Sequence, residues 1–218
     1  VLGTKTLTLS AANDTFAGVI SGTGGLVLSS GTQTLTGNNT YTGGTTINGG
    51  TLSFGANDVL SNTGAVNVSG GTLAIGAFTD SVGAVTLSSG SITGTTGGVL
   101  TGASYDVTNA TGTTTIGAIL GGTAQLTKTG AGSLVMSGMN QYTGITTITS
   151  GTLALSGSGS IGTSSGLLNA ATFDISATTS GATITTLSGA GSVVLGTKTL
   201  TLSAANDTFA GVISGTGG

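Results

Sequence analysis

The 218-residue chain has no cysteine, histidine, arginine, glutamate, proline or tryptophan. Without cysteine or histidine, the usual zinc, haem and iron–sulfur ligand sets are excluded, and no disulfide can brace the fold. Charged residues make up 4% of the chain, against about 25% in ordinary domains. Three lysines and six aspartates form no basic stripe, so nucleic-acid binding has no electrostatic footing. No run approaches the roughly 18 apolar residues of a membrane-spanning helix. The chain opens without a methionine or a signal peptide, so residue 1 is expected to be an internal cut. No window reads as an amphipathic helix, because glycine interrupts every candidate.

Glycine, threonine and serine fill the space that charge leaves. There are 43 glycines, yet the mean hydropathy is +0.45, too apolar for a disordered chain. Short runs alternate apolar and polar residues, the period of a strand with one buried face. In GTLSF the inward pair is Leu52 and Phe54, in GTLAI it is Leu73 and Ile75, and in TFDI it is Phe173 and Ile175. The outward positions are mostly Thr and Ser, and β-branched Thr suits an exposed strand face. A flexible Gly/Ser linker would not keep apolar residues in phase.

Repeats organise these runs. Residues 1–25, VLGTKTLTLSAANDTFAGVISGTGG, recur unchanged at 194–218, a period of 193 residues. Inside it, GVISGTGGLVL (18–28) lies over AILGGTAQLTK (118–128), and LTGNNTYTGGTTINGGTLSF (35–54) over MSGMNQYTGITTITSGTLAL (136–155). Two degenerate sub-repeats of about 100 residues follow, near 17–116 and 117–209. The strand-like runs recur at roughly 20 to roughly 27 residues, a spacing that marks repeat architectures. The whole chain, 1–218, therefore reads as one continuous all-β solenoid segment, a parallel β-helix with one coil per short repeat.

Stacking explains the composition. Equivalent side chains would sit about 4.8 Å apart along the axis, where a ladder of like charges costs about 0.9 kcal/mol per neighbour pair even in water. Proline would remove a donor from strands paired on both edges. Glycine serves tight corners. A 193-residue unit of nine or ten coils would rise roughly 45 Å. A transmembrane barrel would show aromatic girdles and strands of about 10 residues, and neither is visible.

The most specific stretch is 126–153, LTKTGAGSLVMSGMNQYTGITTITSGTL. Its key residues fall on alternate positions, among them Leu126, Lys128, Gly130, Gly132, Leu134, Met136, Gly138, Asn140, Tyr142, Gly144, Thr146 and Ile148. Residues 35–52 repeat the pattern with Gly37, Asn39, Tyr41, Gly43, Thr45 and Ile47, but Leu28 stands upstream where the lysine would be. The terminal copy supplies Asn206, Phe209 and Gly211, with Phe for Tyr. This pattern resembles the passenger-associated strand repeat of bacterial autotransporter proteins. The resemblance implies a right-handed parallel β-helix on the bacterial surface, exported through a C-terminal outer-membrane barrel outside this stretch. It also implies an adhesin, an aggregation factor or a stalk, with no catalytic residues in the repeat. Asn39, Tyr41, Gly43, Asn140, Tyr142, Gly144, Asn206, Phe209 and Gly211 are then structural positions.

Other motifs carry little chemistry. GTSSG (162–166) matches a nucleophile elbow, but Ser164 has no histidine to act as base. GSGSIG (157–162) matches a phosphate loop without a following helix and reads as a corner. GANDVL (55–60) faintly matches a calcium nonapeptide, yet Asp58 lacks a stacked partner in the sequence, and a turn is the simpler reading. NDT, NNT, NVS and NAT fit glycosylation sequons and read as turns. TKTLT (4–8), TQTLT (32–36) and TKTGA (127–131) would have to stack on one face to form an ice-binding threonine array, and they recur irregularly. Tyr41 and Tyr142 read as corner covers before they read as sugar platforms.

The sequence thus predicts a non-enzymatic solenoid without cofactor or metal. It would lie outside a bacterial cell or on its outer surface, and act as a stalk or filament with adhesive or self-associating character. Its partners would be copies of itself, with other cell surfaces or glycans as the alternative.

Overall fold

A computed structural model describes residues 1–218. The chain is a parallel β-solenoid of about ten coils with no helix. Each coil lays short strands on three sides. The first sheet runs from Leu7–Leu9 through Leu26–Leu28 and Thr45–Ile47 to Leu187–Ser188. The second runs from Ala12–Phe16 through Gly31–Leu35 and Thr51–Phe54 to Val212–Gly215. Two long strands, Val66–Gly76 and Ala84–Gly94, bend from the first sheet into the second. The third side carries Thr79–Ser81, Val99–Thr101 and Ile119–Gly121, then a single bridge between Met139 and Ser160, then Ala182–Ile184 under Leu200–Leu202.

Register sets the coil length. Leu7 pairs with Leu26, Leu26 with Thr45 and Thr45 with Val66. The later pairs of the first sheet keep nearly the same step as far as Leu187. One coil thus takes about 20 residues, the short end of the spacing expected for stacked repeats. One slip interrupts the second sheet. Ser91 pairs with Thr115 there, a longer step than the one from Thr72 to Ser91. The corner after Val107 is longer than the corner after Leu87.

The alternation fills the interior. Leu52 stacks on Leu73, which stacks on Ile92, and from there the column runs through Ile116, Met136 and Leu155. A parallel column holds Leu134, Leu153, Phe173 and Val193. Leu52 and Phe54, Leu73 and Ile75, and Phe173 and Ile175 all point inward and are buried. The buried apolar residues form one cluster along the axis. Each buried aliphatic side chain contributes about 1.5–3 kcal/mol, and every coil adds its own ladder of backbone hydrogen bonds, so stability accumulates coil by coil.

This packing separates two neighbouring residues. Leu153→Ala leaves a hole between Leu134 and Phe173 and should cost about 2–5 kcal/mol. Thr152→Ala, on the outward parity, should stay within about 0.5 kcal/mol. Urea unfolding midpoints of the two variants test this, and equal losses would contradict the assigned inward face.

Candidate functional site

The motif asparagines are buried tie-points on the third side. The Ile20 amide donates to Asn39 Oδ1 at 2.7 Å, and Asn39 Nδ2 donates to the carbonyls of Gly37 (2.9 Å) and Val59 (2.6 Å). One side chain thus bonds the coil before it, its own coil and the coil after it. Asn140 repeats the pattern, accepting from the Leu120 amide and donating to the carbonyls of Gly138 and Ser160, all at 3.0 Å. An amide carries both acceptor and donor atoms, so it satisfies backbone groups on both sides of a corner where no strand ladder can.

The tyrosines turn inward at the next corner. Tyr41 and Tyr142 are fully buried, and their hydroxyls are hydrogen-bonded to Thr45 and Thr146 at 2.5 and 2.7 Å. Burial pushes the Tyr41 phenol up to about 12 and raises that of Tyr142 further. Neither ring is available to stack on a sugar. Gly43 and Gly144 let stacked corners approach: a Cβ on Gly144 would strike the Ala124 carbonyl, and one on Gly43 would strike the Gly24 backbone.

The third set is placed differently. Asn206 is exposed, Phe209 is half-buried and bridged to Gly189, and Gly211 lies over Gly191. These three therefore run from the first sheet into the second, whereas Asn39–Gly43 run from the third side into the first.

Two buried groups escaped the sequence pattern. Asp80 sits one coil beyond Val59, in the column that holds Asn39 and Asn140, and its Oδ2 accepts from the amides of Val59 (3.0 Å) and Leu60 (2.9 Å). A carboxylate has no donor to offer the following coil, and Oδ1 is buried without a partner. Burial, helped by the nearby Asp58 charge, raises its pKa to about 6. The expectation that Asp58 has no acidic neighbour a coil away is corrected here. Asp80 lies there but turns inward to backbone amides, and no group of three potential metal ligands forms. Tyr105 is the other missed group. Its hydroxyl accepts from the Gly102 amide at 2.7 Å and lies 2.8 Å from the Leu100 and Gly121 carbonyls, while its ring sits 5.9 Å from that of Tyr142. Stepping one coil onward from Leu60 or from Val85 would have placed both inside.

Lys128 is also inward. It stacks between Val107 and Ile148, is fully buried, and its Nζ donates to the Gly130 carbonyl. Burial lowers its pKa. Leu28 faces inward at the matching point of the earlier copy. Ser164 of the GTSSG stretch is buried, hydrogen-bonded to Thr146 Oγ1 (3.0 Å) and to the Gly144 carbonyl (2.8 Å), and holds a corner.

The outside carries few charges and is rich in hydroxyls. On the second sheet Thr32, Thr51, Thr72, Ser91 and Thr115 stand in one register row. After the slip, Thr113, Ser133, Thr152, Thr172 and Ser192 form another. The three threonine stretches singled out in the sequence do not share a face: Thr32 and Thr34 lie on the second sheet, while Thr8 and Thr127 lie on the first. A polar groove of about 380 Å³ lies on the third side between Ser158, Ser160, Ser180, Thr183, Thr199 and Thr201.

An axial stack with periodic Asn, Tyr and Gly ties and a hydroxyl-rich outer wall defines the class: a parallel β-solenoid. The Passenger-associated-transport-repeat family model matches residues 28–54, 55–75 and 126–155, and these stretches are autotransporter passenger repeats. The Adhesin BmaC autotransporter of Brucella suis biovar 1 (strain 1330) is 37% identical over 101 residues, covering 42% of this chain and 3% of the adhesin. The chain thus spans a small part of the curated relative it matches. No solved structure matches. The match at 55–75 contains no tyrosine.

Asp80 makes stability depend on pH. Its folded pKa lies above the ordinary 3.8 of a carboxyl, so its neutral form is the one favoured by folding. That contribution is complete below about pH 4 and is lost as pH rises through about 6, a change of about 2–3 kcal/mol. Asp80→Asn restores the donor that Asn39 uses and should raise the urea midpoint at pH 8 while flattening its change between pH 4 and 8. A midpoint that falls at pH 8 would contradict this.

Proposed function

We propose that this segment is a non-enzymatic part of an autotransporter passenger, displayed outside a bacterial cell as a rigid stalk with adhesive, self-associating character. The observation that carries the reading is the combination of passenger repeats with a wall of stacked hydroxyls and no assembled reactive group. The similarity to an adhesin supports the surface location, because autotransporter passengers are generally found at the cell surface or outside the cell.

The partner we assign first is another copy of the chain. In the isolated 218-residue segment, Leu7–Leu9 and Ala12–Phe16 each have one paired edge and one open edge, as do Leu200–Leu202 and Val212–Gly215, and these are the edges that a neighbouring unit would cover. Open edges invite pairing. Phe16, Val19, Val212 and Ile213 are exposed apolar side chains of these end coils. A cavity of about 90 Å³ opens among Leu7, Leu9, Phe16, Ile20, Gln33 and Leu35. Asp14 shares a register row with the buried Gln33, so a second copy stacked on this edge would bury its charge.

Sedimentation velocity tests the reading. The chain should form concentration-dependent end-to-end oligomers, and Asp14→Leu should tighten them by removing the buried charge. Monomers that persist for days at every concentration would overturn self-association. A second reading, glycan binding, is favoured by the hydroxyl-lined groove at Ser158–Thr201. It predicts glycan-array signals that fall when Ser160 and Thr183 are replaced by bulky residues.

A further inference from the structure

The two identical 25-residue segments show the two sides of one seam. The turns that close each copy are the same. In the first copy the amides of Thr23 and Gly24 donate to the Gly3 carbonyl at 2.7 and 2.8 Å, and that of Lys5 to Leu2 at 3.0 Å. In the second, Thr216 and Gly217 donate to Gly196 at 2.7 and 3.0 Å, and Lys198 to Leu195 at 3.0 Å. A Cβ on Gly24 would strike the Lys5 carbonyl oxygen, and one on Gly217 would strike that of Lys198. The segment closes on itself as the same coil in both places.

Its position relative to the sheets differs. In the first copy, Leu7–Leu9 lies in the first sheet beside Leu26–Leu28, Ala12–Phe16 in the second beside Gly31–Leu35, and Ile20 on the third side against Asn39. In the second copy, Leu200–Leu202 lies on the third side beside Ala182–Ile184. Phe209 reaches the end of the first sheet at Gly189, and Val212–Gly215 lies in the second beside Ser192–Gly196. Every part is displaced by one side. Coil length is the cause. Nine coils carry the first sheet from Leu7 to Leu187. Leu200 follows Leu187 too soon for another full coil, since every other step of that sheet is longer. The chain reaches the third side instead, so the repeat unit makes nine coils and two sides.

We infer that the 25-residue segment is a seam coil that turns the solenoid's faces by a third of a turn wherever the 193-residue unit repeats. Below the seam, its Leu-Thr-Leu strand continues the third side. Above it, the same strand begins the first sheet of the next unit. The first sheet passes into the second through Phe209 and its copy Phe16, and the second passes to the third side through Ile213 and its copy Ile20. The inward parity of the leucines survives, since Leu7 and Leu9, like Leu200 and Leu202, are half-buried around an exposed Thr. Successive units therefore point the hydroxyl rows of the second sheet in three directions and return to the first after three units. A stalk built this way offers the same face to neighbours on every side, whatever that face binds.

Because the chain has no cysteine, introduced pairs report the phase directly. Thr183 and Thr201 are register partners on the outward parity, at a spacing two cysteines can bridge. On mild oxidation, the Thr183→Cys/Thr201→Cys chain should form an intramolecular disulfide, and Ser188→Cys/Thr201→Cys should not. Spin labels at the same positions give a second measurement that needs no bond: a short 183–201 distance and a longer 188–201 distance are expected. A disulfide or short distance between 188 and 201, with 183 and 201 apart, would place the second copy in the same phase as the first and overturn the inference.

Discussion

Strand residues of the inner coils meet their equivalents one coil above and one coil below, and that axial contact governs which residues the chain can use. Leucine on leucine and isoleucine on methionine pack without polar atoms to satisfy. Threonine on serine tolerates solvent and hydrogen-bonds along the row, as Thr72 and Ser91 do at 3.0 Å. A lysine or aspartate on its own kind would repel at the same spacing. The scarcity of charge is therefore a condition of the architecture, and it leaves an outer wall rich in hydroxyl and methyl groups.

The corners are where stacking alone is insufficient. Backbone groups leave the strand ladders there and still need partners. Asn39 and Asn140 each bond three consecutive coils, and the hydroxyls of Tyr41, Tyr142, Thr45 and Thr146 close the next corner. Asp80 shows the chemical requirement by departing from it. It occupies the same column, keeps the acceptor role and has no proton to pass onward at neutral pH, so one oxygen is stranded. The motif is best understood as a set of ties between coils.

Much of this was legible in the sequence because parity is local. Leu52 and Phe54, or Phe173 and Ile175, declare their inward side within a single short run, and Asn140, Tyr142 and Gly144 declare a corner in the same way. Phase is not local. It depends on the summed length of every corner, so neither the position of Asp80 within the asparagine column nor the slip at Ser91–Thr115 follows from any short window. The same holds for the repeated segment. Its identity was plain from the letters, but its one-side displacement follows only from the summed length of the nine coils between Leu7 and Leu187. Lys128 was visible as a motif residue, yet its burial follows only from the inward parity it shares with Val107 and Ile148.

The molecule is one continuous axial stack stabilised by nearest-neighbour coils. Native-state hydrogen exchange tests this most directly, because it reads the opening free energy of each strand. The slowest exchange is predicted for amides in the central strands Ala84–Gly94 and Thr113–Ile116, covered on both sides, with protection falling toward Leu7–Phe16 and Leu200–Gly215. Central strands that exchange as fast as the two end coils would contradict it.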